Sequence, residues 1–305
     1  MVGKPALLAL DWGSTSLRAF LMDGAGAVLA ERASEDGASR ITGGAEAFEQ
    51  ALRRVAGEWL QPDLPVWACG MVGSQHGWRE APYAECPVAL QELSRGAVRA
   101  DGSEGLRVRI VPGVCWRSGQ DGADVMRGEE IQVAGLLATQ LSLAARCRIV
   151  LPGTHSKWVE VRDGRILSFR TFMTGELFAV LKQHSVLGRL MASSTTFHAE
   201  AFDEGLTRAR MAAGRGLSGD LFSTRARVLL GQLQAEHSAD YLSGLLVGHE
   251  LAAALPATDA DEPLALIGDP ALCARYAHAL QAFGRPAAAV AGNTAPQGLW
   301  ALACA

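Results

Sequence analysis

The sequence predicts an α/β protein of two related domains, each a mixed sheet flanked by helices. Three observations carry this. The 305 residues suffice for two domains of ordinary size. The N-terminal part reads as three strands joined by tight turns, then a helix, then a strand parallel to the first. A second run of strand, turn, strand, turn, strand begins at Cys147 and repeats that order. Hydrophobic residues make up 49% and charged residues 20%, which supplies a large core and argues against disorder.

The first strand is the apolar run Leu7-Leu8-Ala9-Leu10, ending on Asp11 and Trp12. Gly13-Ser14-Thr15-Ser16 turns it, and residues 17–22 return. Gly13 lets backbone approach closely. The three hydroxyl residues offer O–H and N–H groups that suit phosphate oxygens. Asp11, at the strand tip, is placed to hold a hydrated Mg²⁺ through a water. The same residue types also make an ordinary hairpin turn. Asp23-Gly24-Ala25-Gly26 turns again, into a strand over 28–32.

Phe48, Leu52, Val55, Ala56 and Trp59 recur at helical spacing and predict a helix over 45–60, closed by Pro62 and Pro65. Val66-Trp67-Ala68-Cys69 is a short buried strand. It opens onto Gly70-Met71-Val72-Gly73-Ser74-Gln75-His76-Gly77-Trp78. Three glycines and an imidazole at a strand's C-terminal end suit a ligand loop, or a plain connection with His76 satisfied internally. Residues 83–105 read as irregular with a weak helix around Leu90, and 106–111 as a strand ended by Pro112-Gly113.

In Met126-Arg127-Gly128-Glu129-Glu130, acidic residues precede Ile131, Ala134 and Leu137 in helical register. Acids in a first turn favour the helix dipole, and equally suit a general base facing a cleft. Residues 147–151 form a strand, Pro152-Gly153-Thr154-His155-Ser156-Lys157 turns it, and Asp163-Gly164 leads to a third strand over 166–171. Thr174-Gly175-Glu176 opens a helix with His184 near its end. Residues 191–215 read as a polar, irregular small cap. Gly214-Arg215-Gly216-Leu217-Ser218-Gly219 matches G-x-G-x-x-G, but no strand precedes it, so no dinucleotide site is read there. Helices follow over 221–234 and 240–255, the second buried on most faces. A strand over 264–267 meets Gly268, and Asp269 and Pro270 cap the next helix. A short strand over 287–291 and Gly292-Asn293-Thr294 lead to the last helix.

A net charge of −4 argues against a nucleic-acid surface. No apolar run reaches membrane-spanning length, and Met1-Val2-Gly3-Lys4-Pro5 lacks a signal-peptide pattern. The six cysteines form no C-x-x-C pair, so the expected setting is a reducing cytoplasm, without zinc. No G-x-x-x-x-G-K-[ST] is present, which excludes a P-loop kinase, and Gly73-Ser74-Gln75-His76-Gly77 is not a G-x-S-x-G elbow. Oligomeric state stays open, a homodimer included.

The Asp-x-Gly-x-Thr of residues 11–15 resembles the first phosphate motif of the actin/Hsp70/sugar-kinase superfamily. Residues 70–77 resemble the substrate loop of carbohydrate kinases, 128–134 their catalytic segment, 153–157 the second phosphate motif, and 268–270 the adenosine motif. More narrowly, Asp-Trp-Gly-Ser-Thr, Gly-Met-Val-Gly-Ser, Met-Arg-Gly-Glu-Glu, Pro-Gly-Thr-His-Ser-Lys-Trp-Val and Met-Thr-Gly-Glu-Leu are similar to the 2-dehydro-3-deoxygalactonokinases. The resemblance implies two actin-like (ribonuclease H-like) domains, 1–145 and 146–305, each with a mixed five-stranded sheet and with a cleft between them. It implies ATP and Mg²⁺ as cofactors, and phosphorylation of the 6-hydroxyl of the sugar acid 2-dehydro-3-deoxy-D-galactonate. Asp11, Gly13, Ser14, Thr15, Arg18, Gly153, Thr154, His155 and Lys157 would meet phosphates, with Asp11 on the metal. Gly268 and Asp269 would meet adenosine. Met71, Gly73, Ser74, Gln75, His76 and Trp78 would meet the sugar acid, and Arg127 or Arg79 its carboxylate. Glu129 falls where related kinases carry a catalytic Asp, and the adjacent Glu130 is equally able to serve as base. Another sugar kinase or a non-catalytic ATP-binding regulator on the same fold is the alternative.

Overall fold

A computed structural model describes residues 3–118, 122–194, 196–212 and 216–305. β1 (Pro5–Trp12), β2 (Leu17–Asp23) and β3 (Val28–Ser34) form the expected antiparallel meander. The Asp23 carboxylate accepts from the Ala25 and Ala27 amides and so sets the second turn. α1 (Ala45–Ala56) ends before residue 60 because Gly57, at φ 51°, breaks it into a single 3₁₀ turn. β4 (Val66–Gly70) pairs in parallel with β1.

The stretch 83–105, expected to be mostly irregular, holds β5 (Tyr83–Glu85), β6 (Val88–Ala89), α2 (Leu90–Arg95) and β7 (Val98–Asp101). Strands this short show no hydrophobic period. β8 (Arg107–Ile110) follows and ends before Pro112-Gly113 as expected, and β9 (Gly113–Ser118) and β10 (Gly122–Met126) then form a further hairpin. α3 (Glu129–Thr139) starts at the acidic pair.

β11 (Arg146–Leu151), β12 (Ser156–Arg162) and β13 (Arg165–Phe172) repeat the meander, and α4 (Thr174–His184) follows. Residues 191–215 are not an irregular cap, since they contain α5 (Ala199–Arg210). Ala201, Phe202, Leu206 and Ala209 are buried at helical spacing, and the His198 imidazole accepts from the Ala201 amide. Thr195 and residues 213–215 lie outside the described residues, and with them Gly214 and Arg215 of the G-x-G-x-x-G match. The helix expected over 221–234 is reduced to α7 (Ser223–Leu229), preceded by a separate short α6 (Gly216–Leu221). The chain continues through α8 (Ser238–Ala254), β14 (Leu264–Ile267), α9 (Pro270–Ala282), β15 (Ala289–Ala291) and α10 (Ala295–Ala303).

Two sheets have six strands, in the orders β3-β2-β1-β4-β8-β7 and β15-β14-β11-β12-β13-β6, and β10-β9-β5 make a smaller third. Each large sheet carries one strand more than the five expected. Its edge strand, β7 or β6, comes from the stretch read as irregular.

The chain divides into two compact units, one of residues 1–147, 159–169 and 293–305, the other of 148–158 and 170–292. The first buries Leu8, Leu10, Trp12, Phe48, Leu52 and Ile110. Within it the Thr294 hydroxyl donates to the Gln132 carbonyl and ties the start of α10 to α3. The second buries Trp158, Phe202, Leu206, Leu251, Leu266 and Leu280. There α5 and α8 touch backbone to backbone, because a Cβ on Gly244 would lie 2.0 Å from the Phe202 carbonyl oxygen. None of the six cysteines is in a disulfide. No described helix is long and apolar enough to cross a membrane.

Candidate active site

In the first unit, Asp11 ends the apolar part of β1 directly opposite Arg18 on β2. Arg18 Nη2 donates to Asp11 Oδ2 at 2.7 Å, and Asn293 Nδ2 approaches the same oxygen at 3.4 Å. Burial pushes the Asp11 carboxyl above its usual range, and Arg18 pulls it part of the way back. The turn beyond it is held by its carbonyls. Gly13 and Ser14 oxygens accept from the Ala38 and Ser39 amides. Among the described residues no hydrogen bond uses the amides or hydroxyls of Ser14 and Thr15, both exposed. A set of free donors beside a carboxylate is what a metal-bound phosphate requires.

β4 ends beside this turn. Gly70 has φ 92°, and a Cβ there would sit 2.6 Å from the Trp12 carbonyl oxygen, so glycine alone fits. Gly128, at φ 107°, comes against Gly70 and delivers the start of α3 to the same place. Both acids there fold back onto their own helix entry. Glu129 Oε2 accepts from the Arg127 amide at 3.0 Å, and Glu130 Oε2 from the Gly128 amide at 2.7 Å. They differ in exposure. Glu129 is half-buried, whereas Glu130 is 0% exposed and its Oε1 has no partner. Burial, then the charge of Glu129, pushes the Glu130 carboxyl up to about 8. The field extends to Cys69 on β4, whose thiol is driven well up by burial and then by Asp11 and Glu130. That buried thiol stays protonated and inert.

Arg127 is the cation of this corner. Its Nη2 donates to the Ala81 carbonyl at 2.8 Å, and its guanidinium lies 4.4 Å over the Tyr83 ring. Nε and Nη1 are buried without a partner, and Nη1 lies against Gly73. Arg79, the other candidate for an acidic ligand, is exposed. Of the loop residues, Gln75 and His76 are exposed, Met71 and Ser74 half-buried and Gly73 buried. Trp78 is a correction. It is 7% exposed, stacked on Phe48 and edge-on to Trp12, so it belongs to the core rather than to a ligand surface.

In the second unit, the turn after β11 leaves Thr154 and His155 exposed and Gly153 half-buried. The start of α4 backs it. The Glu176 amide donates to the Thr154 carbonyl, the Glu176 carboxylate meets His155 Nε2, and a Cβ on Gly175 would lie 2.3 Å from the Gly153 oxygen. Lys157 is buried. It is 5% exposed on β12, and its Nζ donates to Thr171 Oγ1 at 2.8 Å. Gly268 ends β14 near the Pro152 carbonyl, so the expected adenosine turn lies beside the expected phosphate turn. Asp269 caps α9 by accepting from the Leu272 amide.

Two residues here were not singled out from the sequence. Asn293 sits in the connecting segment before α10, and its amide reads as an ordinary turn residue. Glu250 is a buried carboxylate in the mostly apolar C-terminal half of α8, and an acid in that setting was the one signal. Among the described residues no group of three His, Cys, Asp or Glu side chains is gathered to hold a metal. Asp11 alone fits Mg²⁺ kept mainly by water and phosphate oxygens, the usual manner of that ion.

The doubled strand meander of β1–β3 and β11–β13 gives the fold of the actin-like ATPase class, which includes sugar kinases. The profile of the 2-keto-3-deoxy-galactonokinase family matches residues 11–302. The chain is 39% identical to the 2-dehydro-3-deoxygalactonokinase of Escherichia coli (strain K12), over 95% of this chain and 94% of that one. A crystal structure of a Sinorhizobium meliloti protein described under the same enzyme name superposes with a TM-score of 0.87, at 37% identity, covering 97% of this chain and 98% of that one. The activator of the 2-hydroxyisocaproyl-CoA dehydratase from Clostridium difficile, solved with bound ADPNP, shares the fold alone. Its TM-score is 0.51 at 13% identity, over 97% of this chain and 94% of that one. The chain belongs to the 2-keto-3-deoxy-galactonokinase family.

Proposed function

We propose that the protein phosphorylates the 6-hydroxyl of 2-dehydro-3-deoxy-D-galactonate with ATP, giving the 6-phosphate and ADP, in cytoplasmic breakdown of galactonate. One observation supports this above the rest. Arg127 carries two buried, unpartnered N–H groups two residues before a half-buried Glu129. A cation short of acceptors beside an acid able to take a proton suits a substrate with a carboxylate at one end and a reacting alcohol at the other. The family's enzyme name supports the same substrate.

The transition state of phosphoryl transfer is loose, so the chain's work is to position reactants and balance charge. In residues 1–145, Glu129 accepts the proton of the attacking hydroxyl. Glu130 is fully buried and its Oε2 is held by the Gly128 amide, so it offers no exposed oxygen to the hydroxyl. Arg127 orients the acid end of the sugar, and Gln75 and His76 meet its hydroxyls. The free Ser14 and Thr15 donors, with Gly13 and Arg18, donate to phosphate oxygens. In residues 146–305, Gly153, Thr154 and His155 hold phosphates, and Gly268 and the start of α9 receive the nucleoside. Mg²⁺, when bound near Asp11, offsets charge on the transferring phosphate.

A coupled ADP-release assay on 2-dehydro-3-deoxygalactonate and its gluconate epimer, with product identification by NMR, tests the proposal. ADP formation with the galactonate sugar and a phosphate on O6 is the expected result. Turnover only on neutral sugars, or ATP binding without turnover on any sugar acid, overturns it.

A further inference from the structure

Glu250 is 3% exposed and pairs with no cation among the described residues, yet four donors converge on its carboxylate. Oε1 accepts from Ser156 Oγ and Trp158 Nε1, both at 2.7 Å. Oε2 accepts from Tyr276 Oη at 2.8 Å and from Thr174 Oγ1. A buried acid of this kind is costly, and an apolar side chain of similar volume would pack α8 at lower cost. The donors' places in the chain supply a reason for it. Ser156 closes the turn of residues 153–155, and Thr174 opens α4, whose Gly175 and Glu176 back that turn. Trp158 and Tyr276 fix the same carboxylate to β12 and α9.

We infer that Glu250 is a positioning residue for ATP, one carboxylate that holds the Gly153–His155 turn in register with the start of α4 by hydrogen-bonding both flanks. This rests on the reading of that turn as a phosphate site. It touches neither substrate nor reacting atoms. It acts through Ser156 and Thr174.

The chemistry of the four donors separates positioning from mere charge. Trp158 can only donate, so in Glu250→Gln the amide oxygen must take the Oε1 side. The amide nitrogen then donates to Thr174 and Tyr276, whose hydroxyls turn to accept, so each of the four keeps a hydrogen bond to residue 250. Glu250→Leu leaves all four without their shared acceptor.

The test measures KM for ATP, KM for the sugar acid, kcat and Tm on the full chain. Thr154→Glu places a negative charge on the exposed turn and examines the phosphate reading itself. Expected is a rise in KM for ATP of about tenfold or more for Thr154→Glu, and of about three- to tenfold for Ser156→Ala and Thr174→Val, with KM for the sugar acid unchanged. Glu250→Gln stays close to the parent, and Glu250→Leu, where it folds, shows the largest rise. Tyr276→Phe lowers Tm without moving KM for ATP. If Thr154→Glu raises KM for ATP while Ser156→Ala and Thr174→Val change only Tm, Glu250 is a structural acid and the inference fails. If Thr154→Glu leaves KM for ATP unchanged, the phosphate reading fails and takes the inference with it.

Discussion

Arg18 reaches across one strand pair to place its Nη2 2.7 Å from Asp11 Oδ2. The carboxylate is 12% exposed, so the pair is shielded enough for the guanidinium to matter. Burial raises the Asp11 carboxyl and Arg18 lowers it. Removing the cation therefore moves its titration upward. Arg18→Met is expected to shift the acid limb of the kcat/KM profile to higher pH. A pH-rate profile checks this, and an unmoved limb would assign that ionisation to another group.

Glu129→Gln keeps the shape of the side chain and removes its basicity. Turnover should fall by about 10²–10⁴-fold, with KM for ATP little changed. Steady-state kinetics decide it. A loss of only a few-fold would mean that no general base acts at this position.

Glu130 should reveal itself in stability rather than turnover. Its carboxyl is pushed up to about 8 in the folded chain from an ordinary value of 4.5. As pH rises through that window the unfolded chain gives up the proton and the folded chain retains it. The stability present below pH 4.5 is thus lost progressively toward pH 8, by a few kcal/mol. Glu130→Gln cannot ionise, so its urea midpoint should fall less between pH 5 and pH 8 than that of the parent protein.

Arg127 is anchored by Ala81 and Tyr83 and still has donors to spare. Arg127→Met should raise KM for the sugar acid by about 10- to 100-fold, the worth of a charged hydrogen bond. It should leave KM for a neutral analogue lacking the carboxylate unchanged. Equal losses on both substrates would place the carboxylate elsewhere.

Much of this was legible in local stretches of chain. Asp23 to Gly26 and Asp163-Gly164 carry turn chemistry that depends on residues two to four apart, and each sits in its hairpin. The Gly128-Glu129-Glu130 helix start is equally local. Longer-range outcomes escaped. Trp78 lies beside Gln75 and His76 in sequence, but two aromatic partners from other elements draw it into the core. The short strands β6 and β7 exist only because a sheet edge is there to pair with.

The amino-acid order alone determined the recurring strand-and-turn units, the glycine and hydroxyl tips they present, and the acids at the entry of α3. Each of these follows from backbone preferences and periodicity over a few residues. Only the tertiary structure decided that Asn293 approaches Asp11, that Arg127 retains unpartnered donors, that Glu130 is sealed from water while Glu129 is not, and that Glu250 gathers four donors from three elements. Those facts depend on which faces meet and what each burial leaves unsatisfied, and residues scattered along the chain carry no local mark of it.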